Sequence, residues 1–255
     1  MREWITGKNP VLETLKAGRR QLFRVLISET IQAEERIQEI LRLAKQNRLP
    51  IEKIPRTRLN NLSENHQGVA LEASSYPYRE LTDMVSLAES RKEPLFVLIL
   101  DTLQNPQNLG TLLRSAEAFG VHGILLPLRH TVDITPAVVN ASSGASEHLL
   151  VGMMNLAQAM DQLKEHDVWI LGLEGSDEAT PIEKVRMTGP LAIVVGSEGE
   201  GMRTLVRKSC DQVIRLGMSG NMDSLNAAVA GSIALYLAYQ QRSQHHPGIS
   251  AGGDE

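Results

Sequence analysis

The chain has 255 residues, 42% apolar and 22% charged, with a formal net charge of −4; the composition is ordinary for a soluble protein, and the length accommodates two modest domains or one large one. Its one cysteine, Cys210, excludes an internal disulfide, fits a reducing compartment and reads as a small packing residue. No apolar run reaches membrane-spanning length, Met1-Arg2-Glu3-Trp4 leads straight into mixed sequence, and the seven histidines lack partners at metal spacing, so a cytoplasmic protein with no membrane contact and no metal site is expected.

Trp4-Ile5-Thr6 reads as a short strand, and Gly7-Lys8-Asn9-Pro10 opens a helix with Val11, Leu12 and Leu15 on one face, closed by Gly18. Leu22 to Ile27 is a strand by its β-branched and aromatic content. A helix follows, with Ile31, Ile37, Ile40, Leu41 and Ala44 at helical spacing. Pro50 to Ile54 is a further strand, Leu59-Leu62 a short helix, and Gly68 to Ala73 a last strand. Residues 1–75 therefore predict a small α/β sandwich with its own core. Residues 76–93, with Tyr76-Pro77-Tyr78 and the charged run from Glu89, read as a linker. The first 92 residues carry 16 basic against 12 acidic side chains, so this half is where a polyanion contact is expected; a solvated surface gives the same balance.

From Leu95 the pattern changes to near-continuous apolar runs, the mark of strands covered on both faces. They are 95–100, 123–126, 168–173, 191–195 and 213–214, with helices around 110–119, 136–141, 155–165, 202–208 and 224–240. Residues 94–242 thus predict a mostly parallel α/β sheet, in which ligands gather beyond the carboxyl ends of the strands. The Gln/His/Gly-rich stretch after Tyr239 is expected to be disordered, with 243–255 as the tail proper.

Three strand ends run into polar, glycine-bearing turns. The first, Asp101 to Gly110, leads into a helix carrying Asn108 and Arg114; the alternative is that Asn108 caps this helix and Arg114 pairs with a carboxylate. The second, Gly196-Ser197-Glu198-Gly199-Glu200-Gly201-Met202, lets backbone N–H groups approach a ligand. It lacks the spacing of a dinucleotide fingerprint and the Lys-Ser/Thr ending of a phosphate loop. The third, Leu216 to Asp223, carries Gly217, Met218 and Gly220 and delivers Ser224-Leu225-Asn226 to the mouth of the last helix. Read blandly, it is an extended N-cap in which Asp223 or Ser224 caps that helix.

Together these segments resemble the SpoU/TrmH family of RNA ribose 2′-O-methyltransferases, members of the knotted SPOUT class. The resemblance lies in Asn105-Pro106-Gln107-Asn108-Leu109-Gly110 with Arg114, in Gly196 to Met202, and in Met218-Ser219-Gly220 with Ser224-Leu225-Asn226. Residues 1–75 look like the family's ribosomal-protein-L30e-like substrate-binding domain, with Gly7-Lys8-Asn9-Pro10-Val11 and His66-Gln67-Gly68-Val69-Ala70 as its signatures. The resemblance implies S-adenosylmethionine bound by the loops of a trefoil knot, with Gly196, Leu216, Leu225 and Met218 against the cofactor. It implies Asn108, Arg114, Glu198, Ser224 and Asn226 as the catalytic constellation, and a homodimer that brings part of each active site close to the partner subunit. The pairing of domains is most like the branch that methylates a guanosine of 23S rRNA. A tRNA ribose methyltransferase and a non-catalytic RNA-binding protein of the same fold are the alternatives. Lys8, Arg19, Arg20, Arg24, Arg56 and Arg58 are the basic side chains expected to face RNA. Two departures stand out: Gly217 where the family often has proline, and Ala227-Ala228 where it often has Val-Ser.

Overall fold

The computed structural model describes residues 1–32, 34–197, 199–220 and 224–245. The chain divides into two compact units, Met1–Pro77 with Asp133–His148, and Tyr78–Val132 with Leu149–Glu255.

The first unit contains strands β1 (Arg2–Thr6), β2 (Leu22–Ser28), β3 (Ile51–Ile54) and β4 (Val69–Ser74) in one sheet of order β1-β4-β2-β3. β4 runs antiparallel to both β1 and β2, and β3 runs parallel to β2. Helix α1 (Lys8–Ala17) buries Val11, Leu12 and Leu15 as its spacing predicts, and α2 (Glu35–Gln46) buries Ile37, Ile40 and Ala44. Ile31 precedes α2 instead of lying in it. Helix α3 (Arg56–Asn60) places Leu59 over Leu26, Ile54 and Ala70 of the sheet.

The signature at His66 has a local structural reason. Its Nδ1 accepts the Gly68 N–H at 2.8 Å while Nε2 lies 2.8 Å from the Asn60 amide oxygen, which fixes the Nε2–H tautomer. The resulting turn lets the Gln67 side-chain oxygen accept the Lys8 N–H at 2.9 Å at the start of α1. The two signature stretches of this unit therefore meet.

Residues 133–148, which lie between two strands of the other unit in sequence, belong to the first. They hold α6 (Pro136–Ala141) and a short 3-10 turn, Ala145–Glu147. The Arg20 guanidinium, buried completely, is held by both Glu147 carboxylate oxygens at 2.8 Å and by Glu3 at 2.9 Å. Arg20 is thus a structural cation, which corrects its assignment to the RNA-facing set. Arg24 is paired as well, with Glu72 at 2.8 Å and Glu52 at 3.1 Å.

The second unit is built on a parallel seven-stranded sheet of order β7-β6-β5-β10-β8-β11-β9. Its strands are β5 (Phe96–Leu100), β6 (Gly123–Pro127), β7 (Leu150–Met154), β8 (Trp169–Leu173), β9 (Thr180–Pro181), β10 (Leu191–Val195) and β11 (Gln212–Arg215). β5, β6 and β10 are buried at every position, in keeping with their unbroken apolar runs. Residues 76–93, read as a linker, contain α4 (Leu81–Arg91), opened by a Glu80/Asp83 capping box; its Leu81, Met84 and Ala88 are buried in the core of this unit. Helices α5 (Pro106–Ala118), α7 (Leu156–Glu165), α8 (Thr204–Ser209) and α9 (Ala227–His245) complete it. Gln240 to His245 continue α9 and are helical where a disordered stretch was expected; residues 246–255 lie outside the described ones. Among the described residues, no helix is long and apolar enough to cross a membrane.

Candidate functional site

The strand order reverses between β5 and β10. The chain leaves β5 for β6 and β7 on one side, and fills the other side with β8, β11 and β9. A crevice at the carboxyl ends is the expected result. The loops following β5, β8, β10 and β11 line it.

The loop after β10 sets the floor. Ser197 and Gly201 exchange backbone hydrogen bonds at 3.0 and 3.1 Å, closing a tight turn. A Cβ on Gly196 would lie 2.2 Å from the Gly201 carbonyl carbon and 2.4 Å from the Met202 nitrogen, so no other residue fits this backbone. Met202 then turns under the sheet, where it meets Cys210 at Gly172. Burial, reinforced by the charge of Asp211, pushes the Cys210 thiol up to about 12, as suits a packing residue.

The principal cavity, of about 760 Å³, is lined by Gly196, Leu216, Met218, Ser224, Leu225 and Asn226 among others. Every residue expected to touch a cofactor therefore shares one wall system, together with two of the expected catalytic residues. Leu225 and Met218 are 41% and 44% exposed, apolar surface that the cavity presents to a ligand. Glu174, Gly175 and Ser176, after β8, also line it. This fourth strand end carries in sequence the same signal as the other three, a buried run ending in Glu-Gly-Ser.

Asn226 rather than Ser224 caps α9, its Oδ1 accepting from the Ala228 and Val229 N–H groups at 2.9 and 3.2 Å; Asp223, the other candidate, lies outside the described residues. Its Nδ2 then faces Asn108 and donates to that Oδ1 at 3.3 Å. Asn105 caps α5, accepting from the Gln107 N–H at 2.8 Å with Pro106 in the first turn, so Asn108 is relieved of the capping role. Asn108 lines a second cavity, about 510 Å³, which shares Ser197 and Glu200 with the first.

Arg114 is exposed on α5 and lines neither cavity. Six residues along a helix turn the side chain by about 240°, so Asn108 and Arg114 leave α5 on different sides. Glu198 lies outside the described residues. Among the described residues, no group of three His, Cys, Asp or Glu side chains is arranged to hold a metal.

A parallel α/β unit whose strand-end loops line a large cavity at the switch point has the form of a ligand-binding domain, joined in sequence to a small α/β unit. The model of the SpoU rRNA methylase family matches residues 95–236, and that of RNA 2′-O ribose methyltransferase substrate binding matches residues 4–79. The chain belongs to the SpoU/TrmH family of RNA methyltransferases. It is 39% identical to the TrmH-family tRNA/rRNA methyltransferase candidate YacO of Bacillus subtilis, over 94% of this chain and 96% of that one. A crystal structure of an RNA 2′-O ribose methyltransferase superposes with a TM-score of 0.75 at 27% identity, covering 94% of this chain and 89% of that one. The SpoU methyltransferase AviRb of Streptomyces viridochromogenes, crystallised with S-adenosylmethionine, shares the fold with a TM-score of 0.80 at 21% identity over 95% and 91% of the two chains.

Proposed function

We propose that this protein transfers a methyl group from S-adenosylmethionine to a ribose 2′-oxygen of structured RNA, most specifically a guanosine of 23S rRNA. The observation that carries the reading is the gathering of Gly196, Leu216, Met218, Ser224, Leu225 and Asn226 around one cavity whose rim meets Asn108. The residues fit the cofactor: Gly196 leaves backbone bare at the floor, and Leu216, Leu225 and Met218 offer an apolar slot for a purine. In this reading the loops belong to a trefoil knot.

When bound, S-adenosylmethionine supplies a methyl group on a sulfonium, an electrophile that needs no further activation. The chain's task is placement. The Asn226–Asn108 contact holds two amides at the junction of the cavities, where they orient a ribose hydroxyl, and Ser224 adds a hydroxyl at the same rim. The new bond forms from the 2′-oxygen to the methyl carbon as the carbon–sulfur bond breaks, and the hydroxyl proton passes to water or a phosphate oxygen. A guanidinium is a poor base, so Arg114 orients phosphate instead of taking the proton.

Arg114 lies away from the cavities of its own chain, which supports a homodimer in which it serves the partner's site. Leu225, Val229, Ile233 and Tyr236, all 38–46% exposed, recur at helical spacing and leave one face of α9 and its lead-in apolar, in keeping with a subunit contact. The N-terminal residues 1–75 act as the RNA-recognition domain, and the enzyme works in the cytoplasm.

The test pairs calorimetric binding of S-adenosylmethionine with a map of ribose methylation in rRNA and tRNA from a deletion strain. Loss of one 2′-O-methylguanosine in 23S rRNA is expected. Loss of a tRNA ribose methyl group instead would select the tRNA alternative, and failure to bind the donor would select the non-catalytic one.

A further inference from the structure

The second cavity is built by neighbouring strand ends: Thr102 and Asn105 after β5, His130 after β6, and Ser197, Glu200 and Arg203 after β10. Three features set it apart from a surface dimple. Thr102 and His130, neither a glycine, hold φ at +61° and +62°, a strained conformation that a β-branched residue such as Thr102 very seldom adopts. The loops after β5 and β6 are tied together, the Leu103 carbonyl accepting from Val132 N–H at 3.1 Å and Thr131 hydroxyl at 3.2 Å. Below them Asp101, 0% exposed, accepts the Arg203 N–H at 2.8 Å on one oxygen and grips Nε and Nη2 at 2.7 Å with the other.

That grip explains where Arg203 points. A guanidinium has two usable edges. Asp101 takes the Nε/Nη2 edge from beneath, while 48% of the side chain stays exposed at the cavity. The fixed carboxylate removes the rotamer freedom that an exposed arginine would lose on binding an anion.

We propose that Arg203 is an RNA-phosphate contact of the target nucleotide, presented by Asp101 as its positioning residue, so that the second cavity is the acceptor subsite. This deepens the methyl-transfer reading and rests on it. A phosphate on the Nη1/Nη2 edge leaves the sugar beside Asn108, against the wall shared with the donor cavity.

The test measures two affinities separately, for transcribed 23S rRNA and for S-adenosylmethionine. Arg203→Ala strands a buried carboxylate, so Asp101→Asn/Arg203→Gln, which removes both charges together, is measured beside it. Arg203→Lys is the conservative variant. The neutral variants are expected to bind rRNA about tenfold more weakly, the worth of one charge-assisted contact, with donor affinity within about twofold of wild type. Arg203→Lys is expected to recover part of the loss. Unchanged rRNA binding in the folded neutral variants overturns the proposal. So does an equal loss of donor affinity, which makes the pair a prop of the donor loop or a partner of the donor's carboxylate. Wild-type protein that binds the donor but no rRNA removes the substrate reading along with the proposal, an outcome distinct from either.

Discussion

The Asn226 amide donates to the Asn108 carbonyl oxygen at 3.3 Å across 118 residues of sequence, and its own carbonyl is already committed to two N–H groups of α9. One side chain therefore does two separable things: it starts a helix and orients a neighbour.

Asn226→Asp separates them. Aspartate keeps the cap but loses the N–H that reaches Asn108. Its melting temperature is expected to stay within a few degrees of wild type while methyl transfer falls by at least an order of magnitude. Asn226→Ala loses both and costs about 1 kcal/mol of stability in addition. Thermal denaturation and single-turnover transfer, read side by side, check the pair. Equal activity of wild type and Asn226→Asp contradicts the assignment.

Gly196→Ala tests the floor of the principal cavity. With a Cβ 2.2 Å from the Gly201 carbonyl carbon, the loop from Gly196 to Met202 must move, at a cost of about 1–3 kcal/mol. The expected result is a loss of S-adenosylmethionine affinity of at least tenfold by calorimetry in a protein that still folds.

Glu147→Gln addresses the first unit. It leaves the Arg20 guanidinium, with no exposed side-chain surface, facing a neutral amide. Breaking a buried pair from one side costs about 3–5 kcal/mol when the charge is left alone; Glu3, 2.9 Å from the same guanidinium, still compensates part of it, so a smaller but clear fall in the denaturation midpoint is expected. Loss of RNA binding without loss of stability would return Arg20 to the RNA-facing set.

His122 gives a pH signature. Its Nδ1 accepts the Phe96 N–H at 3.0 Å and its Nε2 lies 3.0 Å from Glu93. Burial holds the imidazole below its ordinary value of 6.5, against the opposing pull of Glu93. A histidine lowered in the folded state binds fewer protons than when unfolded. Its contribution is therefore whole above about pH 6.5 and declines below it, by up to about 1.4 kcal/mol per pH unit. Denaturant midpoints from pH 7.5 to 5 should fall accordingly, and His122→Asn, whose amide oxygen can accept the Phe96 N–H, should flatten the slope.

Much of this was legible in the sequence. Unbroken apolar runs located β5, β6, β8 and β10 because strands buried on both faces admit little else. β7 was missed although, at five residues, it is as long as β5, β6, β8 and β10; β9 is only two residues long. The burial of α4 was invisible because Leu81, Met84 and Ala88 mark a helix but not what it packs on. The transfer of residues 133–148 to the first unit depends on pairs such as Arg20 with Glu147, 127 residues apart, which no local pattern encodes. At the site, glycine-bearing strand ends disclosed the loops around the principal cavity. They could not say which residue caps which helix: at both α5 and α9 the cap fell on a neighbouring residue, Asn105 in place of Asn108 and Asn226 in place of Ser224. The close passage of α9 over Leu112 and Val195 at Gly231 was equally hidden.

The most direct measurement is transfer itself. Purified protein is incubated with methyl-labelled S-adenosylmethionine and transcribed 23S rRNA, and the RNA is digested to nucleosides. Label is expected in 2′-O-methylguanosine, cut at least tenfold by Asn226→Asp. Label on a base, or no transfer to any RNA by protein that binds the donor, would contradict it.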